Sequence, residues 1–161
     1  RAKDLVQRIL AFGRRQNTAR KVVDMAEVVT EAVTLMGATA PGKLRLVVSR
    51  TRPPEIALAL SRALGADIVP MGSAGAKAMA IVRGEADIYL HSGGQYEWDS
   101  CAPVAVALAH GLHCSRIDGS EIAYNQPDTY LPDLLICRPK HAAPTLRFVA
   151  QFQAGKIAPT S

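Results

Sequence analysis

Apolar and polar positions along the chain change period several times, and each change predicts a new element. Residues 44–49, LRLVVS, are apolar and β-branched and predict a strand that ends in a Ser-Arg-Thr-Arg turn. Pro53-Pro54 suits a first helical turn, and Ile56, Leu58, Leu60 and Leu64 carry that helix to Gly65. A short strand over 67–70 leads into a glycine loop, and residues 74–82 predict a helix with Gly84 just past its end. Residues 86–91 predict a third strand, and Ser92-Gly93-Gly94 a flexible turn that delivers Glu97-Trp98-Asp99. Beyond it the pattern predicts a small-residue helix over 101–110, a strand over 114–117 and a hairpin-type turn at Asp118-Gly119. A late strand over 134–137 and a helix over 144–152 follow, the helix burying Leu146, Val149 and Phe152. Strands alternating with helices predict a layered α/β domain over residues 42–161.

Residues 1–41 read differently. Leu5, Val6, Ile9, Leu10 and Phe12 mark one helical face over 1–16, and Asn17-Thr18 breaks it. Asp24 with Glu27 three residues on forms a capping pattern. Val28, Val29, Ala32, Val33 and Met36 make a second stripe that Gly37 ends. A helical, hairpin-like segment is therefore expected ahead of the α/β domain.

Composition narrows the function classes. Hydrophobic residues are 48% and aromatics only 5%, so Ala, Val, Ile and Leu must fill the core. The net charge of +5 is spread, with no basic stripe carrying aromatics. That excludes a nucleic-acid polymer as the expected partner and suits a small anionic one. No apolar run is long enough for a membrane span, and no signal peptide is visible. Cys101, Cys114 and Cys137 are odd in number and not spaced in pairs, which argues for a reducing cytoplasm. The first residue is Arg1 and not Met, as expected for an excised, processed or incomplete chain.

The candidate chemistry lies in residues 71–103. Gly72-Ser73-Ala74-Gly75-Ala76-Lys77 and Glu97-Trp98-Asp99-Ser100 each run straight into a predicted helix. Small residues let backbone N–H groups approach a ligand, and a helix start offers those groups to an anion. Lys77 adds a full positive charge, and Asp99 a hard oxygen ligand of the kind Mg²⁺ prefers. Ser73 and Asp99 are equally good N-caps, and capping and ligation can coexist. Extended alternation would put Glu97 on the same face as Asp99, where it reads as exposed. Cys101 reads as a buried thiol on the inner side of its helix. His110, His113 and Cys114 fall short of the four ligands zinc wants, and His110 reads as a helix end.

Together GSAGAKAM, EADIYLH and EWDSCAP resemble the C-terminal half of the inositol monophosphatase superfamily, most closely its 3′(2′),5′-bisphosphate nucleotidase branch, over about residues 44–152. The resemblance implies a layered sugar-phosphatase-type fold and Mg²⁺-dependent hydrolysis of a nucleotide, sugar or inositol phosphate monoester. It implies that Asp99 binds metal and touches substrate, and that Gly72, Ser73 and Lys77 line the phosphate pocket. Many relatives carry an Arg where this chain has His91. The superfamily's first-half carboxylates, a helical Glu and the Asp pair of Asp-Pro-Leu/Ile-Asp-Gly-Thr, have no counterpart here, and Asp118-Gly119-Ser120 reads only as a turn. No residue is therefore assigned as catalytic. Weak or absent Mg²⁺ binding and little or no activity are expected of the chain alone. The expected partners are a small phosphate ester and either a second copy or a missing N-terminal half, with self-association through exposed apolar faces. Residues 1–41, with DLVQRILAFGRRQ and RKVVDMAEVVTEAVTLMGATAP, resemble the dimerisation region of a sensor histidine kinase. The phospho-accepting and ATP-binding boxes are absent. The alternative is thus a kinase fragment joined to a phosphatase remnant.

Overall fold

A computed structural model describes residues 42–155. The predicted helical segment 1–41 lies outside the described residues. The elements are β1 (Arg45–Ser49), α1 (Glu55–Leu64), β2 (Asp67–Met71), α2 (Ala74–Val82), β3 (Ile88–Tyr96), α3 (Glu97–Ala109), β4 (His113–Ser115), β5 (Tyr130–Cys137) and α4 (Pro139–Gln153).

The five strands form one mixed sheet in the order β2-β1-β3-β5-β4. β1 is parallel to β2 and to β3, and β5 is antiparallel to β3 and β4. Period-2 alternation sends successive side chains to opposite faces. Leu46, Val48, Ile88, Leu90, Leu135 and Cys137 pack with Ile56 and Leu60 of α1 and Val149 of α4. Val47, Tyr89, Leu134 and Ile136 pack on the other face with Ala78 and Ile81 of α2 and Val104 and Ala107 of α3. Both faces are thus covered, which is why residues 46–48, 88–90 and 134–137 read as unbroken apolar runs. Each fully buried Leu, Ile or Val contributes roughly 1.5–3 kcal/mol relative to exposure.

Local signals explain most boundaries. Pro54 caps α1 through its backbone carbonyl, which accepts from Ala57 and Leu58. Gly65 ends that helix in the left-handed region at φ 60, and Gly84 turns the chain after α2 at φ 71. The expected turn at Asp118-Gly119 is present. Gly119 N–H donates to Arg116 O, and the Asp118 carboxylate accepts from both the N–H and the hydroxyl of Ser120. The strand before it is β4, shifted to His113–Ser115, and no strand follows until Tyr130. Asp133 ties the turn to β5 by accepting from the Arg116 guanidinium at 2.7 and 2.8 Å and from Ile117 N–H at 2.9 Å.

Other expectations are corrected. Residues 92–94 are no flexible turn: β3 runs through them to Tyr96, with a register shift between Ser92 and Gln95. Gly93 (φ 84) and Gly94 (φ 74) supply the left-handed backbone of that bulge. β5 is correspondingly longer than 134–137, pairing Leu131 with Gln95 and Tyr130 with Tyr96. Pro132 is tolerated because β4 pairs only from Leu135 onward. α3 begins at Glu97 and not at 101. α4 begins at Pro139, a residue suited to a first turn, and carries Pro144 inside it. Cys101 is exposed on α3, whereas Cys137 is buried and Cys114 half-buried. Burial pushes the Cys114 and Cys137 thiols up to about 12. Among the described residues no helix is long and apolar enough to cross a membrane.

Candidate functional site

In open α/β sheets, ligands bind outside the carboxyl ends of parallel strands. Here β1, β2 and β3 open at that edge into 50–53, Gly72-Ser73 and the bulge at 92–94. Ser73 caps α2, its hydroxyl accepting from Ala76 N–H at 3.4 Å. A Cβ on Gly75 would lie 3.6 Å from Pro103 Cγ. The start of α2 is therefore packed on the middle of α3, and the Asp99 charge acts on Lys77.

Lys77 is only 3% exposed. Its ammonium donates to Gly72 O, closing the loop back on itself, and lies 5.3 Å from the Tyr89 ring centroid. Burial pulls its pKa down, and the Asp99 charge partly restores it. An ammonium has three donors, so the Gly72 bond leaves two.

Asp99 does not precede its helix. It sits in the first turn of α3, and one carboxylate oxygen accepts from Tyr96 N–H at 3.0 Å. That oxygen is occupied in fixing the helix start; the other makes no hydrogen bond among the described residues. Glu97 is not simply exposed either. Its carboxylate accepts from Asn125 N–H at 2.8 Å and Gln126 N–H at 2.9 Å, which pins the loop leading to β5. It is therefore a loop anchor and not a companion ligand for Asp99.

Sequence reasoning gave no role to four residues that the fold adds. A Cβ on Gly72 would lie 3.2 Å from an Arg50 guanidinium nitrogen, and one on Gly94 3.6 Å from Arg52. Both arginines thus reach over the same edge, and neither makes an ion pair among the described residues. The only signal for them was position, in a Ser-Arg-Thr-Arg turn after a strand. Tyr89 and Gln95 join through Gln95 Nε2–H, which donates to the Tyr89 hydroxyl at 2.8 Å. Burial raises the Tyr89 phenol well above its ordinary range. Gln95 Oε1 is buried without a hydrogen-bond partner among the described residues, and the buried His91 ring lies against the Gly93 backbone. Burial lowers the His91 pKa; the Gly93 backbone opposes this, Lys77 and Arg52 add to it, and Asp133 opposes it.

The edge therefore carries one carboxylate, one buried ammonium and two guanidiniums. That set suits an anion with several oxygens. No group of three or more His, Cys, Asp or Glu that could hold an ion is present among the described residues. His110 Nδ1 lies 3.0 Å from Val106 O at the end of α3, and His113 Nε2 lies 2.9 Å from Ser115 Oγ. Trp98 is 64% exposed and stacks on Tyr96 with ring centroids 4.8 Å apart.

The chain is similar to known proteins over most of its length. The profile of the inositol monophosphatase family matches residues 20–153, so the match begins within the opening segment. The 3′-phosphoadenosine 5′-phosphate phosphatase of Mycobacterium bovis is 53% identical over 123 residues, which cover 75% of this chain and 46% of that protein. The chain spans about half the length, or less, of the curated relatives it matches. The inositol monophosphatase from Anabaena (Nostoc) sp. PCC 7120 superposes with a TM-score of 0.58 at 18% identity, over 76% of this chain and 48% of that one. An IMPase/NADP phosphatase complexed with NADP and Ca²⁺ gives 0.55 at 15% identity, over 69% and 41%. At those identities the structures establish the fold.

Proposed function

Because the chain belongs to the inositol monophosphatase family, we propose that its carboxyl-edge crevice binds the phosphate of a small phosphomonoester of the 3′-phosphoadenosine 5′-phosphate type. The observation that carries this reading is Lys77, a buried ammonium held at the glycine loop with the Asp99 carboxylate beside it. Burying a charge is costly unless something compensates it. A phosphate seated on the start of α2 would do so while using the first N–H groups of that helix. Arg50 and Arg52 lie farther along the same edge, where a second phosphate of a bisphosphate would reach them. The relative from Mycobacterium bovis is named for such a bisphosphate, which favours a nucleotide over an inositol phosphate.

An IMPase/NADP phosphatase of this fold is complexed with NADP and Ca²⁺, and Mg²⁺ is the ion this crevice would share with its ester. The described residues do not complete such a site. Asp99 offers one free oxygen, and Mg²⁺ retains most of its waters unless carboxylates and phosphates converge. We infer that residues 42–155 supply the phosphate-facing part of the site. The remaining carboxylates come from outside them, in another stretch of chain or in a partner.

Two assays separate the parts. Isothermal titration of purified chain with 3′-phosphoadenosine 5′-phosphate should show saturable binding. Mg²⁺-dependent release of phosphate from the same compound should stay at background. Brisk Mg²⁺-dependent turnover by the chain alone would refute the incomplete-site reading, and absence of binding would refute the crevice.

A further inference from the structure

The amino ends of the parallel strands carry a second basic cavity, of about 480 Å³, on the far side of the sheet from Lys77 and Asp99. β1 is five residues long, so the two edges lie about 15 Å apart. Lys43, Arg45, Arg138 and Lys140 line the cavity with Asp67 and Asp87, and Glu85, paired with Arg83, acts on Arg45 from outside the lining. Lys43 pairs with Asp67 at 2.6 Å. Asp87 is shared between Arg45 at 3.6 Å and Arg138 at 3.8 Å, and it also accepts from Arg45 N–H at 2.9 Å. One carboxylate therefore serves two guanidiniums at long range, Arg45 also donates to Gly84 O, and Lys140 makes no ion pair among the described residues. Two positive charges remain in excess. His141, a partly exposed residue, completes the wall, and its Nε2 has no hydrogen-bond partner among the described residues.

The start of α4 sharpens this imbalance. Its N-cap is Arg138, which makes no side-chain cap bond, and its first turn has no acidic residue. Basic side chains at Lys140 and His141 oppose the positive end of the helix dipole, where a sequence built for stability alone places acids. We propose that this cavity binds a small dianionic oxyanion, inorganic phosphate or the phosphate group of a small monoester, between Lys140, Arg138 and His141. The site is separate from the crevice at the other edge and does not depend on the reading of that crevice.

The test follows the imidazole itself. Burial lowers the His141 pKa, Lys140 adds to this, Asp87 opposes it and Arg138 adds again. NMR titration of the four histidines of the full chain, with His141→Gln to assign the signal, reads its midpoint with and without inorganic phosphate, using chloride at matched ionic strength as control. A bound dianion should move the His141 midpoint up by about one unit. Lys140→Gln, and Arg138→Gln with Lys140→Gln, should raise the phosphate concentration needed at least tenfold, while Lys77→Met leaves it unchanged. A His141 midpoint indifferent to phosphate, one that moves equally in the double variant, or one whose response is lost in Lys77→Met would overturn the proposal. Sulfate in place of phosphate should reproduce the shift, and adenosine 5′-monophosphate tests whether an ester fits as well as the free ion.

Discussion

Lys77 concentrates the functional question in one side chain. Its ammonium is stabilised by Gly72 O, the Tyr89 ring and the Asp99 charge, yet burial still lowers its pKa. A lysine kept only for stability is easily replaced, because Met fills the same space without a buried charge. Lys77→Met should therefore leave the melting temperature level or raised while weakening phosphate-ester binding at least tenfold, as charge-assisted hydrogen bonds are worth about 1.5–3 kcal/mol. Calorimetry and thermal melts on one preparation check both halves. His91 makes a second residue-scale prediction. Its folded pKa lies below the unfolded value of about 6.5. The unfolded chain then binds the proton more readily, so the stability contribution is present above pH 6.5 and lost as pH falls through the lower folded value. His141 acts in the same direction. Melting temperatures should drop between pH 7 and pH 5, and less steeply in His91→Gln, which keeps only the His141 share. An equal slope in both proteins would count against the burial of a neutral imidazole.

At the scale of elements, the bulge in β3 decides where the site residues stand. Gly93 and Gly94 hold left-handed backbone that a side chain resists, so Gly93→Ala or Gly94→Ala should cost about 1 kcal/mol or more. Gly75→Ala is the contrast: its Cβ would meet Pro103 at an ordinary 3.6 Å within α2, so stability should hold or rise. Chemical denaturation of the three variants measures this. Those glycines also mark the limit of what the sequence discloses. The alternation of strands with helices, the span of α2 and the left-handed end of α1 were legible because period and caps are local signals. The passage of β3 through Ser92-Gly93-Gly94 was not, since glycines read as a turn until a partner strand pairs across them. The start of α3 is hidden for a related reason: Glu97-Trp98-Asp99 reads as an extended lead-in, whereas the Asp99 carboxylate accepts from Tyr96 N–H inside the helix. Cys101 faces outward because Ser100, Val104 and Ala107, at helical spacing, form the buried stripe of α3. Gly72, Ser73, Lys77 and Asp99 were visible as residue types in loops. Arg50, Arg52, Tyr89 and Gln95 became site residues only when the strand ends came together.

For the molecule as a whole, two edges of one sheet carry opposite assignments of the same physics. Both gather cations, one around a glycine loop with a single free carboxylate oxygen, the other around a helix start without a cap. The sheet between them is closed on both faces by apolar side chains, so the core does not depend on either site. Tyr96, Trp98 and Tyr130 remain exposed as a joined aromatic group beside Asp99. Size-exclusion chromatography should show concentration-dependent self-association, reduced in Trp98→Ala; a sharp monomer peak at all concentrations would remove that expectation. Trp98 is the chain's one tryptophan, next to the proposed metal-facing carboxylate, and so reports ligand arrival by its own fluorescence. The most direct measurement is a titration of the full chain with 3′-phosphoadenosine 5′-phosphate, followed by Trp98 emission, in wild type, Lys77→Met and the Arg138→Gln, Lys140→Gln double variant. Saturable binding that weakens at least tenfold in Lys77→Met and persists in the double variant is the predicted result. Equal affinity in wild type and Lys77→Met, or no saturable change in either, would contradict it.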